Sequence, residues 1–189
     1  MRELSLNVMD VAQNCITAKA TLVTIEVKES DKNDFLDIYV KDNGCGMTKE
    51  QLESVIDPFY TTRKTRKVGL GIPLFKMACE QTGGSFSVDS TVDVGTTLYA
   101  HLIKSSVDMT PLGDINSTVK ILIQCNPEID FVFSHSTDNG EFTLDTRELR
   151  EVLGSEVPLN TPDVLEWIDG FLEEQKSNIY GGAKDEIFS

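Results

Sequence analysis

The sequence predicts an α+β fold: a mixed sheet covered on one face by helices, followed by a small C-terminal α/β unit. Three observations carry this. Stretches of alternating β-formers, "LVTIEVKES", "DFLDIYVKD" and the longer "SFSVDSTVDVGTTLYAHLI", read as antiparallel strands. Helical spacing fills the segments before and between them. A polar break, "KSSVDMTPLGD", then precedes a second set of helices and strands. The expected division is residues 1–104 and residues 105–189.

"ELSLNVMDVAQNCITAKAT" reads as a helix with Leu4, Val8, Val11, Ala12 and Cys15 on one face. The first two strands meet at a charged turn around residues 30–33. The next stretch, "YVKDNGCGMTKE", starts as a strand and breaks at Asp42 and two closely spaced glycines. It then enters a short helix, with Thr48 and Gln51 spaced as a capping box. "DPFYTTRKTRKVGLG" is too basic to be core. "IPLFKMACEQTGG" is a helix with Pro73 in its first turn and Gly83-Gly84 at its end. The second pair of strands turns at residues 93–95.

Beyond the break, a helix is expected over 115–123. A hairpin turning at Asp138, Asn139 and Gly140 follows, then a short helix over 146–153. A last helix has Thr161 as its cap and Pro162 at its first position. The final stretch, "NIYGGAKDEIFS", reads as frayed.

At 189 residues the chain can bury a sizeable core. No segment is long and apolar enough to span a membrane, and "MRELSLNVMD" is too charged for a signal peptide, so the expected compartment is the cytoplasm. The four cysteines are scattered, without metal-ligand spacing, and read as small packed thiols. Net charge is −14, unevenly spread. Residues 1–104 hold 14 acidic and 12 basic side chains, and residues 105–189 hold 17 and 5. This argues against nucleic acid and anionic membrane as partners and suits a basic protein surface.

Four features could carry chemistry. Asp10 and Asn14, one helical turn apart, point the same way, and neither residue type favours a helix interior. Asp42, followed by Gly44 and Gly46, can accept a hydrogen bond from a purine amino group while the ring lies on bare backbone. Gly69 and Gly71 place N–H groups at a helix start, where phosphate binds well. Gly95, Thr96 and Thr97 head a strand. Asn14 can offer an amide oxygen to magnesium, and Asp10 can orient or deprotonate a water. The plainer readings are a solvated helix face for Asp10 and Asn14, and a solvated run for Arg63, Lys64, Arg66 and Lys67. His101 reads as a strand residue and His135 as exposed. Trp167, with Val164, Ile168 and Phe171, reads as core or as a docking face.

Taken in order, these stretches resemble the boxes of the GHKL ATPases, the superfamily of gyrase B, the heat-shock chaperone, histidine kinases and MutL. "MDVAQNCITAKAT" is similar to the N box and "DNGCGM" to the first glycine box. "DPFYTTR" is similar to the F box of histidine kinases, "VGLGIPL" to the second glycine box and "GTT" to the last. The resemblance covers about residues 3–103. It implies a Bergerat-type pocket for ATP and magnesium, in which Asp42 contacts adenine and Asn14 ligands the metal. It places Gly44, Gly46, Met47 and Thr96 around the nucleotide, with Gly69, Leu70 and Gly71 at the phosphates. Thr61, Thr62, Arg63 and Lys67 then belong to a lid, and Asp10 is the catalytic candidate.

The chain also departs from that pattern. Hydrolysing members carry glutamate where Asp10 stands. One methylene less moves the carboxylate about 1.5 Å, enough to slow water activation. The lid is short, and Lys67-Val68 replaces a usual glycine. No phosphoacceptor histidine box or dimerisation hairpin is present, so a kinase of this type needs a partner protein that carries the phosphoacceptor. Two functions are expected from this: a stand-alone kinase or regulatory module, or a nucleotide sensor with slow or absent hydrolysis. A scaffold that no longer binds nucleotide is disfavoured by the intact glycines and Asp42.

Overall fold

In the strands, fully buried residues alternate with half-exposed ones. Val23, Ile25 and Val27 are buried, as are Leu36, Ile38 and Val40, and Leu98, Ala100 and Leu102. A period of two puts each set on one face of its strand. The computed structural model describes residues 3–56 and 71–181. Their elements are α1 (Leu4–Thr17), β1 (Leu22–Ser30), β2 (Phe35–Asp42), α2 (Lys49–Ile56), α3 (Gly71–Gln81), β3 (Ser85–Thr91) and β4 (Gly95–Ile103). Then follow α4 (Ile115–Cys125), β5 (Asp130–Thr137), β6 (Gly140–Asp145), α5 (Thr146–Leu153) and α6 (Pro162–Ile179).

The strands form one six-stranded mixed sheet in the order β3-β4-β2-β1-β5-β6. Only the β1–β5 pair within it is parallel. Helix α1 packs between α3 and α4, and α4 packs against α6, over the buried sheet face. The fold is therefore α+β, as the sequence predicts.

The hairpin β5–β6 adds to the sheet of the first part, with β5 running beside β1 from Leu22↔Asp130 to Lys28↔Ser136. The second part also reaches α1. The first N–H groups of that helix, on Leu4 and Ser5, donate to the carbonyls of Pro111 and Leu112, both at 2.9 Å. Two donors at a helix start without a side-chain cap are satisfied in this way.

Local signals fare well. The Thr48–Gln51 box forms in both directions: the Thr48 N–H donates to Gln51 Oε1 at 2.9 Å, and the Gln51 N–H donates to Thr48 Oγ1 at 3.1 Å. Four details differ. The stretch expected to be frayed begins in order, with Ile179 buried in α6 and the Tyr180 hydroxyl hydrogen-bonded to Glu29, while residues 182–189 lie outside the described residues. Helix α1 stops at Thr17, four residues early, because Lys19 takes a φ of 64° and turns the chain into β1. Thr161 precedes α6 but makes no side-chain cap bond. His135 is not exposed. It continues the inward row of Phe131 and Phe133 on β5 and is 3 % accessible, because β5 lies inside the sheet with its inward face under the helices.

Candidate functional site

Asp42 closes β2, and strand register sets its neighbours. It pairs with Val23 on β1 and with Thr96 on β4. Its side chain is 8 % accessible, and one carboxylate oxygen accepts the Gly44 N–H at 2.7 Å. Beyond Asp42 the chain is strapped on both sides. The Cys45 N–H donates to the Ala18 carbonyl at the end of α1, at 2.9 Å. The Cys45 carbonyl accepts the Asp93 N–H at 2.7 Å. The Met47 N–H donates to Ser90 Oγ at 2.8 Å, and Ser90 Oγ lies 2.7 Å from Thr96 Oγ1.

Two glycines make this packing possible. Gly46 has φ +72°, and a Cβ there would sit 2.1 Å from the Thr91 carbonyl oxygen. Gly95 has φ +144°, and a Cβ there would sit 2.0 Å from the Asp42 carbonyl oxygen. Both are places where only bare backbone fits. The first and last glycine boxes thus hold the Asp42 turn against the hairpin β3–β4.

A cavity of about 120 Å³ opens beside Asp42. Asn14, Asp42, Gly46, Met47 and Thr96 line it, so five of the residues singled out in the sequence meet there. Val11, Val40, Val55, Ile72, Val88 and Leu98 supply an apolar wall. Cys15 lines it too; burial, and then the Asp42 carboxylate beside it, push its thiol pKa well above the usual range. Asn14 is half-buried and Asp10, one turn earlier, is exposed. A Cβ on Gly71 would lie 3.0 Å from the Asp10 Cβ, so the start of α3 abuts α1 at Asp10. Gly44 is buried under the turn. Thr61, Thr62, Arg63, Lys67, Gly69 and Leu70 lie outside the described residues, as does the expected lid. Among the described residues no group of three or more His, Cys, Asp or Glu side chains could hold a metal ion. Nor is any helix there long and apolar enough to cross a membrane.

Sequence reasoning missed two residues that position the site. Ser90 bridges Met47 and Thr96, but only strand pairing brings it there. Asn43 accepts the N–H groups of Thr21 and Leu22, at 2.9 and 3.0 Å, and ties the Asp42 turn to the start of β1. The Asp-Asn-Gly run marks a turn, yet nothing local names Asn43's distant partners.

The sequence profile of the histidine kinase-, DNA gyrase B-, and HSP90-like ATPases matches residues 1–106. The sensor protein SrrB of Staphylococcus aureus is 35% identical over 109 residues, which are 55% of this chain and 18% of that protein. The chain therefore spans less than a fifth of the length of that relative. Among solved structures, the Aquifex aeolicus MutL ATPase domain complexed with ADP matches with a TM-score of 0.51 at 16% identity. That match covers 86% of this chain and 85% of the other. The N-terminal domain of a DNA repair protein matches with a TM-score of 0.55 at 16% identity, over 82% of this chain and 58% of the other. These two are likenesses of fold. The profile match takes in α1, the Asp42 turn and both strands of the hairpin that packs on it, and it spans more than half of the sequence. The chain belongs to the family of histidine kinase-, DNA gyrase B-, and HSP90-like ATPases.

Proposed function

We propose that the protein binds ATP with magnesium beside Asp42 and works as a stand-alone kinase or regulatory module on a partner protein. The observation that carries this reading is the meeting of Asn14, Asp42, Gly46, Met47 and Thr96 on one apolar-walled cavity. About 120 Å³ is well below the ~300 Å³ of a small ligand cleft, so it suits the planar base, with the rest of the nucleotide outside it. Asp42 accepts from the purine amino group, and the apolar wall excludes water from the ring faces. Asn14 offers its amide oxygen as a metal ligand; a magnesium ion held there would also need phosphate oxygens, which it would partly neutralise. Asp10 orients a water or the accepting group. Thr61, Thr62, Arg63, Lys67, Gly69 and Leu70 are assigned to the phosphates and lid through the family resemblance alone.

A second reading, a nucleotide sensor with slow or absent hydrolysis, is favoured by Asp10 itself. It is exposed, and its side chain is one methylene shorter than the glutamate expected there. Incubation with γ-labelled ATP, with and without extract of the native host, separates the two. Label transferred to a protein supports the kinase. Tight binding with only slow phosphate release supports the sensor. No binding of ATP in a calorimetric titration would overturn both.

A further inference from the structure

Far along the sequence from the Asp42 cavity, α5, α6 and the outer edge of β6 enclose a groove of about 610 Å³ that, among the described residues, shares no lining residue with it. Leu149, Val152 and Leu153 face it from α5; Val164, Trp167 and Phe171 face it from α6. Each set follows helical spacing, so each helix turns one apolar stripe to the same space. Val152 is 83 % accessible and Trp167 is 51 % accessible, although Trp167 already stacks on Phe171 at 5.1 Å and 12°. Large apolar side chains gathered in a concavity and left in water mark a docking surface more often than scattered ones do.

The rim is acidic. Glu148 and Asp163 line the groove, and Glu151 and Glu166 are exposed on the same two helices. The two arginines of α5 are already engaged: Arg147 pairs with Asp145 at 2.8 Å and Arg150 with Asp130 at 2.6 Å. Residues 105–189 hold 17 acidic side chains against 5 basic ones, so the field around the groove attracts cations. A second copy of a chain with net charge −14 would be repelled. Two roughly facing stripes with an open seam have the form that receives a third helix.

We propose that this groove docks an amphipathic helix of a partner protein whose apolar face is flanked by lysine or arginine. The inference stands apart from nucleotide binding and uses none of the residues assigned to it.

Trp167 is the only tryptophan in the chain and so reports directly on the groove. The full chain is titrated, without nucleotide, with a tryptophan-free leucine–lysine peptide patterned as an amphipathic helix. A saturable blue shift of Trp167 emission is expected, with affinity falling severalfold at high salt. Val152→Lys, at an exposed position that should not disturb folding, is expected to weaken binding at least tenfold. Any of four results overturns the proposal: no shift; an equal shift from the same peptide in scrambled order; an equal shift from a leucine–glutamate peptide; or unchanged binding by Val152→Lys. Two further results name a different occupant and also overturn it. A blue shift that grows with protein concentration alone, with dimers in sedimentation, means a second copy. A red shift in a chain ended at Gly181, with no peptide added, means the protein's own last residues.

Discussion

Asp42 sits where three constraints meet: the end of β2, the Gly44 N–H on one carboxylate oxygen and the Cys15 thiol against the same group. Asn at this position keeps the shape, but removes the charge and turns an acceptor into a donor. Losing a charge-assisted hydrogen bond costs about 1.5–3 kcal/mol, so Asp42→Asn should weaken ATP binding roughly 10- to 100-fold in a calorimetric titration. Unchanged affinity would remove Asp42 from the base site. Asn14 makes a different prediction. Alanine has no hard oxygen, so Asn14→Ala should weaken binding with magnesium more than binding without it. Equal losses in the two titrations would mean that Asn14 is not a metal ligand.

At the scale of elements, the turn after β2 is held by packing that tolerates no side chain. Gly46→Ala meets both a φ of +72° and a clash with the Thr91 carbonyl. Strain of this kind costs about 1–3 kcal/mol. The melting temperature should then fall by roughly 2–12 °C, and ATP binding should fall with it. Gly83→Ala is the matched control: its φ is +90°, but among the described residues nothing beyond its own chain neighbours lies within 4 Å of the added Cβ. It should lower the melting temperature less and leave ATP affinity unchanged. Equal effects of the two variants on binding would mean that the turn's close approach to β3 does not shape the site.

Across the whole molecule, Glu29 ties distant segments together. His135 Nε2 on β5 lies 2.7 Å from one of its oxygens, the Tyr180 hydroxyl after α6 donates to that same oxygen, and Lys104 Nζ donates to the other at 3.0 Å. Burial by itself would raise the Glu29 pKa, but the hydrogen bonds from His135, Tyr180 and Lys104 outweigh it and hold it at about 2. The ionised form is therefore the stabilising one. Its contribution is complete above the unfolded value near 4.5 and is lost as pH falls through about 2. Urea midpoints measured across that window should fall more steeply for the native chain than for Glu29→Gln; parallel curves would show that Glu29 is not responsible. Deleting residues 105–189 tests the same integration and whether that part is a unit of its own. The deletion leaves β1 as a sheet edge and strips the Pro111 and Leu112 acceptors from α1. The truncated chain should therefore lose its cooperative thermal transition. A sharp melt near the native temperature would instead mean two independent units.

Much of this was legible in short stretches of sequence. Alternation marked the strands, the Thr48–Gln51 spacing marked the capping box, and the order of glycines and Asp42 pointed to the turn beside the candidate cavity. These are local signals, because propensity, capping and face alternation act over a few residues. Which strands become neighbours is decided over long separations, where many pairings offer similar local energy and only the burial of the assembled core selects one. The parallel seam between β1 and β5 was therefore invisible in the sequence, and with it the burial of His135 beside Glu29. The same holds for Ser90 beside Thr96, Asn43 at the start of β1, and the groove that leaves Trp167 in solvent. The sequence determined where an acid and bare backbone would stand; the packing of the sheet decided what stands beside them.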